Sequence, residues 1–218
     1  MILEQSIDIT IRNETEADYK IVEQLTREAF WNVHVPGCNE HYLVHIMRDS
    51  ELFIPELDFV AEMNGKIVGN IMYMHSMVID DDGKMHPVIT FGPISVLPMH
   101  QKKGVGSKLI EHSMKQAREM GYSAILIYGD PEYYKRFGFV PAENYRIKSS
   151  SGMYAAALQA CELSQGALNE ISGKFIEGDI YELDEREVAE FDRQFPEKVK
   201  CHTPTQDRFA RVLTMVHK

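Results

Sequence analysis

The sequence predicts a mixed α/β domain of α+β character, with a mostly antiparallel front half, one strand–helix–strand crossover and a helical C-terminal stretch. Two observations carry this. Phe59 to Met63 and Lys66 to Tyr73 flank Asn64-Gly65, a pair that supplies the positive φ angles of a type I′ turn, so the two runs read as a β-hairpin. Farther on, the apolar run Val88 to Leu97 leads through Gln101-Lys102-Lys103-Gly104-Val105-Gly106 into an amphipathic segment, Val105 to Met120, stopped by Gly121. Ala124 to Tyr128 follows as a short, wholly apolar strand, as expected when both faces of a sheet are covered.

The remaining elements fall around these. Ile7, Ile9 and Ile11 alternate with polar residues at the period of a half-buried strand. Thr15 can cap a helix whose apolar face is Ile21, Val22, Leu25 and Ala29. After a Pro36-Gly37 break, Asn39 can cap a short helix carrying Tyr42, Leu43 and Ile46. The second hairpin strand runs on toward Ile79, and Asp80 to Gly83 form a turn. Gly92-Pro93 interrupts the next strand; proline lacks a ladder donor, so a bulge or an open edge is expected there. Asp130 caps a brief helix with Pro131 at its first position. Gly138-Phe139-Val140 ends that helix and begins a strand, and another falls near Tyr154 to Leu163. Near the C-terminus, Asp184 with Glu187 and Thr203 with Gln206 resemble capping boxes. They open helices with apolar faces Val188, Phe191, Phe195 and Phe209, Val212, Leu213, Val216. The expected organisation is a main domain over residues 7–163 and a helical extension over 164–218, packed on that domain or closing a homodimer.

Bulk properties exclude several function classes. A formal net charge of −10 argues against non-specific binding to nucleic acid or to an anionic membrane, both of which need a basic patch. Cys38, Cys161 and Cys201 are odd in number and far apart, so neither a disulfide framework nor a zinc site is expected, and no metal is assigned. The first eight residues lack the basic and apolar regions of a signal peptide, and no apolar run approaches the ~20 residues needed to span a bilayer. A cytoplasmic location is the expectation.

The glycine-bearing turn carries the chemistry. Placed between a strand and a helix, it offers unpaired N–H groups and the positive end of the helix dipole, which together bind phosphate. A P-loop needs a glycine five positions before Gly106, where Gln101 stands, and a Gly-Lys-Ser/Thr end, which Gly106-Ser107-Lys108 does not give. A dinucleotide fingerprint needs a third glycine where Leu109 stands.

A third pattern fits. Ile94-Ser95-Val96-Leu97-Pro98 followed by Gln101-x-x-Gly104-x-Gly106 resembles the acetyl-CoA motif of the GCN5-related N-acetyltransferases, the GNAT family. Gly129-Asp130-Pro131-Glu132-Tyr133-Tyr134-Lys135-Arg136-Phe137-Gly138-Phe139 is similar to that family's Y-x-x-x-G-F signature. The resemblance covers about residues 7–163. It implies a GNAT fold: a twisted, mostly antiparallel sheet with a splayed central strand pair, flanked by helices. It implies acetyl-CoA as cosubstrate, with the backbone from Lys102 to Ser107 around the pyrophosphate. Gln101, Lys102, Lys103, Gly104, Val105, Gly106 and Ser107 would form that turn, and Ile94, Ser95 and Val96 would line the pantetheine arm. The activity implied is acetyl transfer to the amine of a small molecule or peptide, with Tyr134 as general acid and the Val96 N–H as oxyanion donor. A non-catalytic acyl-CoA-binding module and an acyltransferase with another donor stand as alternatives.

The sequence leaves the general base open. Thr90-Phe91-Gly92-Pro93 has no titratable group; the candidates are His75, Asp130, Glu132, Glu28 and His34, and a water chain relaying the proton to backbone or bulk would need no dedicated residue. The acceptor pocket is expected between the first two helices and the strands near Tyr73 to Met77, with Trp31, His34, His41 and Tyr42 either lining it or serving as ordinary core and rim.

Overall fold

The computed structural model describes residues 8–218, so Ile7 of the expected first strand lies outside the described residues. The front half comprises β1 (Ile9–Asn13), α1 (Tyr19–Phe30), α2 (Glu40–Met47), β2 (Phe59–Met63), β3 (Lys66–Ile79) and β4 (Met85–Val96). The crossover helix α3 (Val105–Glu119) and β5 (Ala124–Tyr128) follow, then α4 (Pro131–Tyr134), β6 (Val140–Pro141), β7 (Ile147–Lys148), β8 (Tyr154–Ala155) and β9 (Leu158–Glu162). The chain ends with β10 (Gly173–Ile176), α5 (Glu185–Asp192), α6 (Pro204–Thr214) and β11 (Val216–His217). The main sheet has nine strands in the order β1-β2-β3-β4-β5-β9-β6, with β10 on β3 and β7 on β10. Its β4–β5 and β10–β7 pairs are parallel; β8 and β11 form a separate ribbon.

The alternation of β3 builds the layers. Ile71 and Tyr73 point to the face covered by α3, where Val105, Leu109, Ile110, Met114 and Ala117 complete one core with Ile89, Ile125 and Ile127. Met72 and Met74 point to the opposite face and meet Leu43, Val44 and Met47 of α2. A strand buried on both faces must be apolar throughout, which is why Ile67 to Met74 interrupts its run of large apolar side chains only at Gly69 and Asn70. Gly69 favours close packing there: a Cβ would stand 3.0 Å from the Val105 and Leu109 side chains and from the Ser95 carbonyl, so the missing side chain lets α3 approach. The outer edge of β3 is satisfied in relay. β2 pairs with its first half, the Ile54 N–H donates to the Tyr73 carbonyl and the His75 N–H to the Leu52 carbonyl, and β10 pairs with Met77 to Ile79.

Two features make the sheet open in the middle. Between the pairs Ile71↔Ile94 and Tyr73↔Phe91, Gly92 and Pro93 together oppose Met72, so the expected bulge is present. The parallel neighbours β4 and β5 share the registered pair Ile89↔Ile125; past it β4 continues to Val96 and the two strands diverge.

Residues 164–218 were expected to be helical, and α5 and α6 are where the apolar periodicity places them. β10 lies in the same stretch and joins the main sheet. With Phe175 as its one buried residue, it is too short to show a period. The caps also differ from the sequence reading. Asp184 accepts from the Arg186 N–H, but Glu187 accepts from the Tyr42 hydroxyl instead of turning back to the cap. The Thr203 hydroxyl and Gln206 amide both donate to the Asn32 carbonyl, so these residues tie α6 to the turn after α1 rather than close a box. The extension packs on the main domain: Arg27, buried in α1, pairs with Asp192 at 2.6 Å and stacks on Trp31.

One buried cluster between α1, α2 and the sheet contains Glu14, Asp58, Arg48 and Asn70. Arg48 pairs with Glu14 at 2.8 Å, and Asn70 donates to Asp58 at 2.9 Å. Burial first, and Glu14 beside it second, hold the Asp58 carboxyl well above the ordinary carboxylate range, so it stays protonated at neutral pH. A raised carboxyl favours folding at low pH and disfavours it as pH rises toward its folded value. Asp58→Asn is therefore expected to leave Tm unchanged near pH 4 and to raise it by about 2–4 °C at pH 8, the shift expected of roughly 1 kcal/mol in a chain of this size. Thermal melts at the two pH values check this, and an Asn variant less stable at pH 8 would contradict it.

Candidate active site

The turn between β4 and α3 presents a row of unused donors. His100 and Gln101 close a tight turn on Leu97 and Pro98, and the next hydrogen-bonded N–H is that of Lys108, which donates to Gly104. From Lys102 to Ser107 the backbone N–H groups have no protein acceptor among the described residues. Lys102 (φ 59°) and Gly104 (φ 85°) both adopt left-handed backbone, which curls the segment into a concave arc before α3 begins. For Lys102 that conformation costs about 1 kcal/mol or more. Both lysine side chains are exposed; Val105 is buried beneath the turn, and Gly106 and Ser107 are half-buried. The Gln101 amide donates to the Val96 carbonyl at 3.1 Å and so pins the turn to the strand.

The open edge of β4 faces the same region. The Leu97 N–H donates to the Val68 carbonyl, and antiparallel ladders alternate. Ser95, opposite Asn70, therefore turns its backbone toward β3, whereas Ile94 and Val96 turn theirs toward the gap left by β5. Ser95 departs from the sequence expectation: its backbone is used by β3, and its buried hydroxyl donates to Thr26 at 2.9 Å.

Tyr134 stands at the end of α4, across the gap. Its ring packs on Phe91 and Phe139, with centroids 5.9 and 5.6 Å away, and on Tyr133 at 5.0 Å. The hydroxyl makes no hydrogen bond among the described residues, and burial pushes the phenol well above its ordinary value. Asp130 caps α4 as expected, accepting from the Glu132 N–H at 3.0 Å. Gly129 makes room for the ring: a Cβ there would lie 2.3 Å from the Tyr134 ring. Tyr133, next in sequence, points to the other side, its hydroxyl 3.2 Å from where a Gly106 Cβ would be.

A cleft of about 760 Å³ extends from this tyrosine, bounded by the gap side of β4, the end of β5, α1, α2 and α6. Of the base candidates read from the sequence, His34 and Asp130 line it and His75, Glu132 and Glu28 do not. His75 is exposed against Tyr122, Glu132 pairs with Lys135, and Glu28 pairs with Lys198. His34 is engaged by Glu40 at 2.7 Å and stacked on Phe209 at 4.2 Å. Asp130 is engaged by Arg208. The group that sequence reasoning missed is Glu177, just past β10. It lines the cleft near Tyr128 and Tyr181, has no hydrogen bond or ion pair among the described residues, and burial raises its carboxyl to about 7. Nothing local in Phe175-Ile176-Glu177-Gly178 marks it; it reaches the site because β10 pairs with β3, which is a tertiary event.

The other expected pocket residues are used elsewhere. Trp31 stacks on Arg27 and donates to the Val199 carbonyl. His41 is buried against Asp192, Phe191 and Phe195, and Tyr42 is bonded to Glu187. The apolar faces of the extension cover them, so only His34 of the four reaches the cleft. Among the described residues no three His, Cys, Asp or Glu side chains are grouped to hold a metal ion.

Comparison with known proteins finds relatives of the fold and of the sequence. A family model described as an acetyltransferase (GNAT) domain matches residues 10–142. The chain is 27% identical over 164 residues to the uncharacterised N-acetyltransferase YhbS of Escherichia coli K12, covering 75% of this chain and 92% of that protein. It is 33% identical over 101 residues to the uncharacterised N-acetyltransferase YjhQ of the same organism, covering 45% of this chain and 54% of that one. Among solved structures it resembles Escherichia coli YhbS in complex with CoA, at TM-score 0.70 and 22% identity over 82% of this chain and 94% of that one. It also resembles a GNAT family acetyltransferase from Brucella melitensis in complex with acetyl-CoA, at TM-score 0.65 and 26% identity over 80% and 98%.

The contact between Gly129 and Tyr134 yields a test. Gly129→Ala forces the ring aside, and a displacement near 1 Å at a reacting group can cost about 10²-fold in rate. The expected outcome is a fall in kcat of roughly that size with the far-UV circular dichroism and the KM for acetyl-CoA little changed. A fully active variant would show that the ring position does not matter.

Proposed function

The chain belongs to the GNAT acetyltransferase family, whose members draw the acetyl group from acetyl-CoA, and from that premise we propose that it acetylates a primary amine by direct attack on the thioester. The observation that carries the reading is the convergence of three groups on one gap: the unpaired N–H arc from Lys102 to Ser107, the free Val96 N–H, and the unbonded Tyr134 hydroxyl.

In this reading the N–H arc and the α3 N-terminus hold the pyrophosphate, with Lys102 and Lys103 adding charge at the rim. The outward backbone of Ile94 and the N–H of Val96 hold the pantetheine arm. Gln101 acts by keeping the turn in place. The thioester supplies an activated acyl carbon and a thiolate leaving group. The Val96 N–H donates to the carbonyl oxygen, where negative charge grows during attack. Tyr134, protonated throughout the neutral range because of its burial, gives its proton to sulfur. Glu177 takes the proton lost by the amine: a carboxyl held near 7 by burial is basic enough to accept it and is substantially ionised at neutral pH. The proton then passes from Glu177 to bulk water and Tyr134 is reprotonated, so the sum is amine plus acetyl-CoA giving amide plus free thiol. An unpaired carboxylate in the cleft favours this over the non-catalytic alternative, whose support was the missing base.

Release of free thiol from acetyl-CoA is the measurement. Tyr134→Phe is expected to lower kcat by about 10²–10³-fold with a small change in the KM for acetyl-CoA. For Glu177 the sign is that of a base: the active form is deprotonated, so kcat/KM for the amine should rise with pH through about 7. Glu177→Gln should remove that limb and lower the plateau by about 10²-fold or more. If the limb survives in the Gln variant, the proton goes elsewhere; if Tyr134→Phe turns over normally, the acid assignment falls.

A further inference from the structure

The acceptor side of the cleft carries an inference that rests on the reading of Glu177 and Tyr134 given above. Three carboxylates line the cleft. Glu40 is hydrogen-bonded to His34 at 2.7 Å and Asp130 is paired with Arg208, which leaves Glu177 as the one carboxylate without a hydrogen bond or ion pair among the described lining residues. A single acidic group can compensate a single ammonium. The rest of the wall is apolar and ring-shaped: Phe30 and Leu43 from the first two helices, Tyr128 from β5, Tyr181, and Phe209 and Val212 from α6. Such rings pack edge-to-face or offset against another ring, and they attract an ammonium through their faces. The Phe209 ring is fixed in place, because it stacks on His34 with planes 19° apart and His34 is held by Glu40. Helix α6 is itself anchored at its start by Thr203 and Gln206 on the Asn32 carbonyl.

We propose that the acceptor is a monoamine carried on a flat, aromatic-sized apolar body, with its nitrogen between Glu177 and Tyr134 and its body against the wall formed by Phe209 and Val212 of α6. Phe209 is then a specificity-determining residue, supplied by a helix outside the segment matched by the family model.

The test uses the full chain and two readouts. Thiol release from acetyl-CoA is measured with 2-phenylethylamine, ethylamine, spermidine and glycinamide. Calorimetry measures binding of 2-phenylethylamine to the protein saturated with CoA. The expected result is a kcat/KM for 2-phenylethylamine at least tenfold above the other three. Phe209→Leu and Phe209→Ala, each checked for an unchanged far-UV spectrum, should raise the KM for 2-phenylethylamine tenfold or more. Spermidine or glycinamide as the better substrate would overturn the proposal, as would a KM for 2-phenylethylamine insensitive to both Phe209 variants. Binding of 2-phenylethylamine that Phe209→Ala abolishes, without turnover of any amine, would support the pocket assignment and sink the transfer reading instead. Absence of both binding and turnover would overturn the pocket assignment.

Discussion

The separation of β4 from β5 is the constraint on which the site depends. Two parallel strands that stayed paired to their ends would consume the backbone of Ile94 and Val96 in a ladder, and there would be no gap for a pantetheine chain. The bulge at Gly92-Pro93 accompanies the divergence by putting two residues of β4 against Met72 of β3. β4 stays on β3 while β5 goes with β9, and each strand keeps one satisfied neighbour. The open edges are therefore confined to one short stretch. That stretch ends where α3 begins, so the unpaired strand edge and the unpaired helix N-terminus are contiguous and can hold the two ends of one extended ligand.

The aromatic packing on the far side of the gap is equally local in origin. Tyr134 is placed by a one-turn helix that Asp130 caps and Pro131 opens, and its ring lies over a glycine on one side and against Phe91 and Phe139 on the other. Phe91 belongs to β4, directly before the bulge. The strand that opens the gap thus also supports the tyrosine that faces it, and both belong to one core.

The donor half of the site was legible in the sequence because its signals are local. A glycine turn between a strand and a helix, a proline in a strand, and a capped short helix with clustered aromatics each state their geometry within a dozen residues or so. The hairpin at Asn64-Gly65 and the crossover through α3 were readable for the same reason. Ser95 was misread because motif position says nothing about ladder phase; only the register, set by Leu97 on Val68, shows that its backbone turns away. The acceptor half was largely illegible. His41 and Tyr42 looked available on a helix of known face, but the partner of that face is the distant C-terminal helix α5, and Trp31 is taken by Arg27 and the Val199 carbonyl. Glu177 carries no motif and becomes a cleft residue through a strand of four residues whose partner is far away in the chain.

That late strand has a consequence for how the molecule is made. β3 and β4 can pair as soon as they exist, but Met77 to Ile79 keep an unpaired outer edge until Gly173 to Ile176 arrive. Closing such a long loop is entropically slow, and an apolar strand with a free edge invites pairing with another chain in the meantime. Glu177 directly follows that strand, so the wall of the cleft is complete only once the sheet edge has been closed.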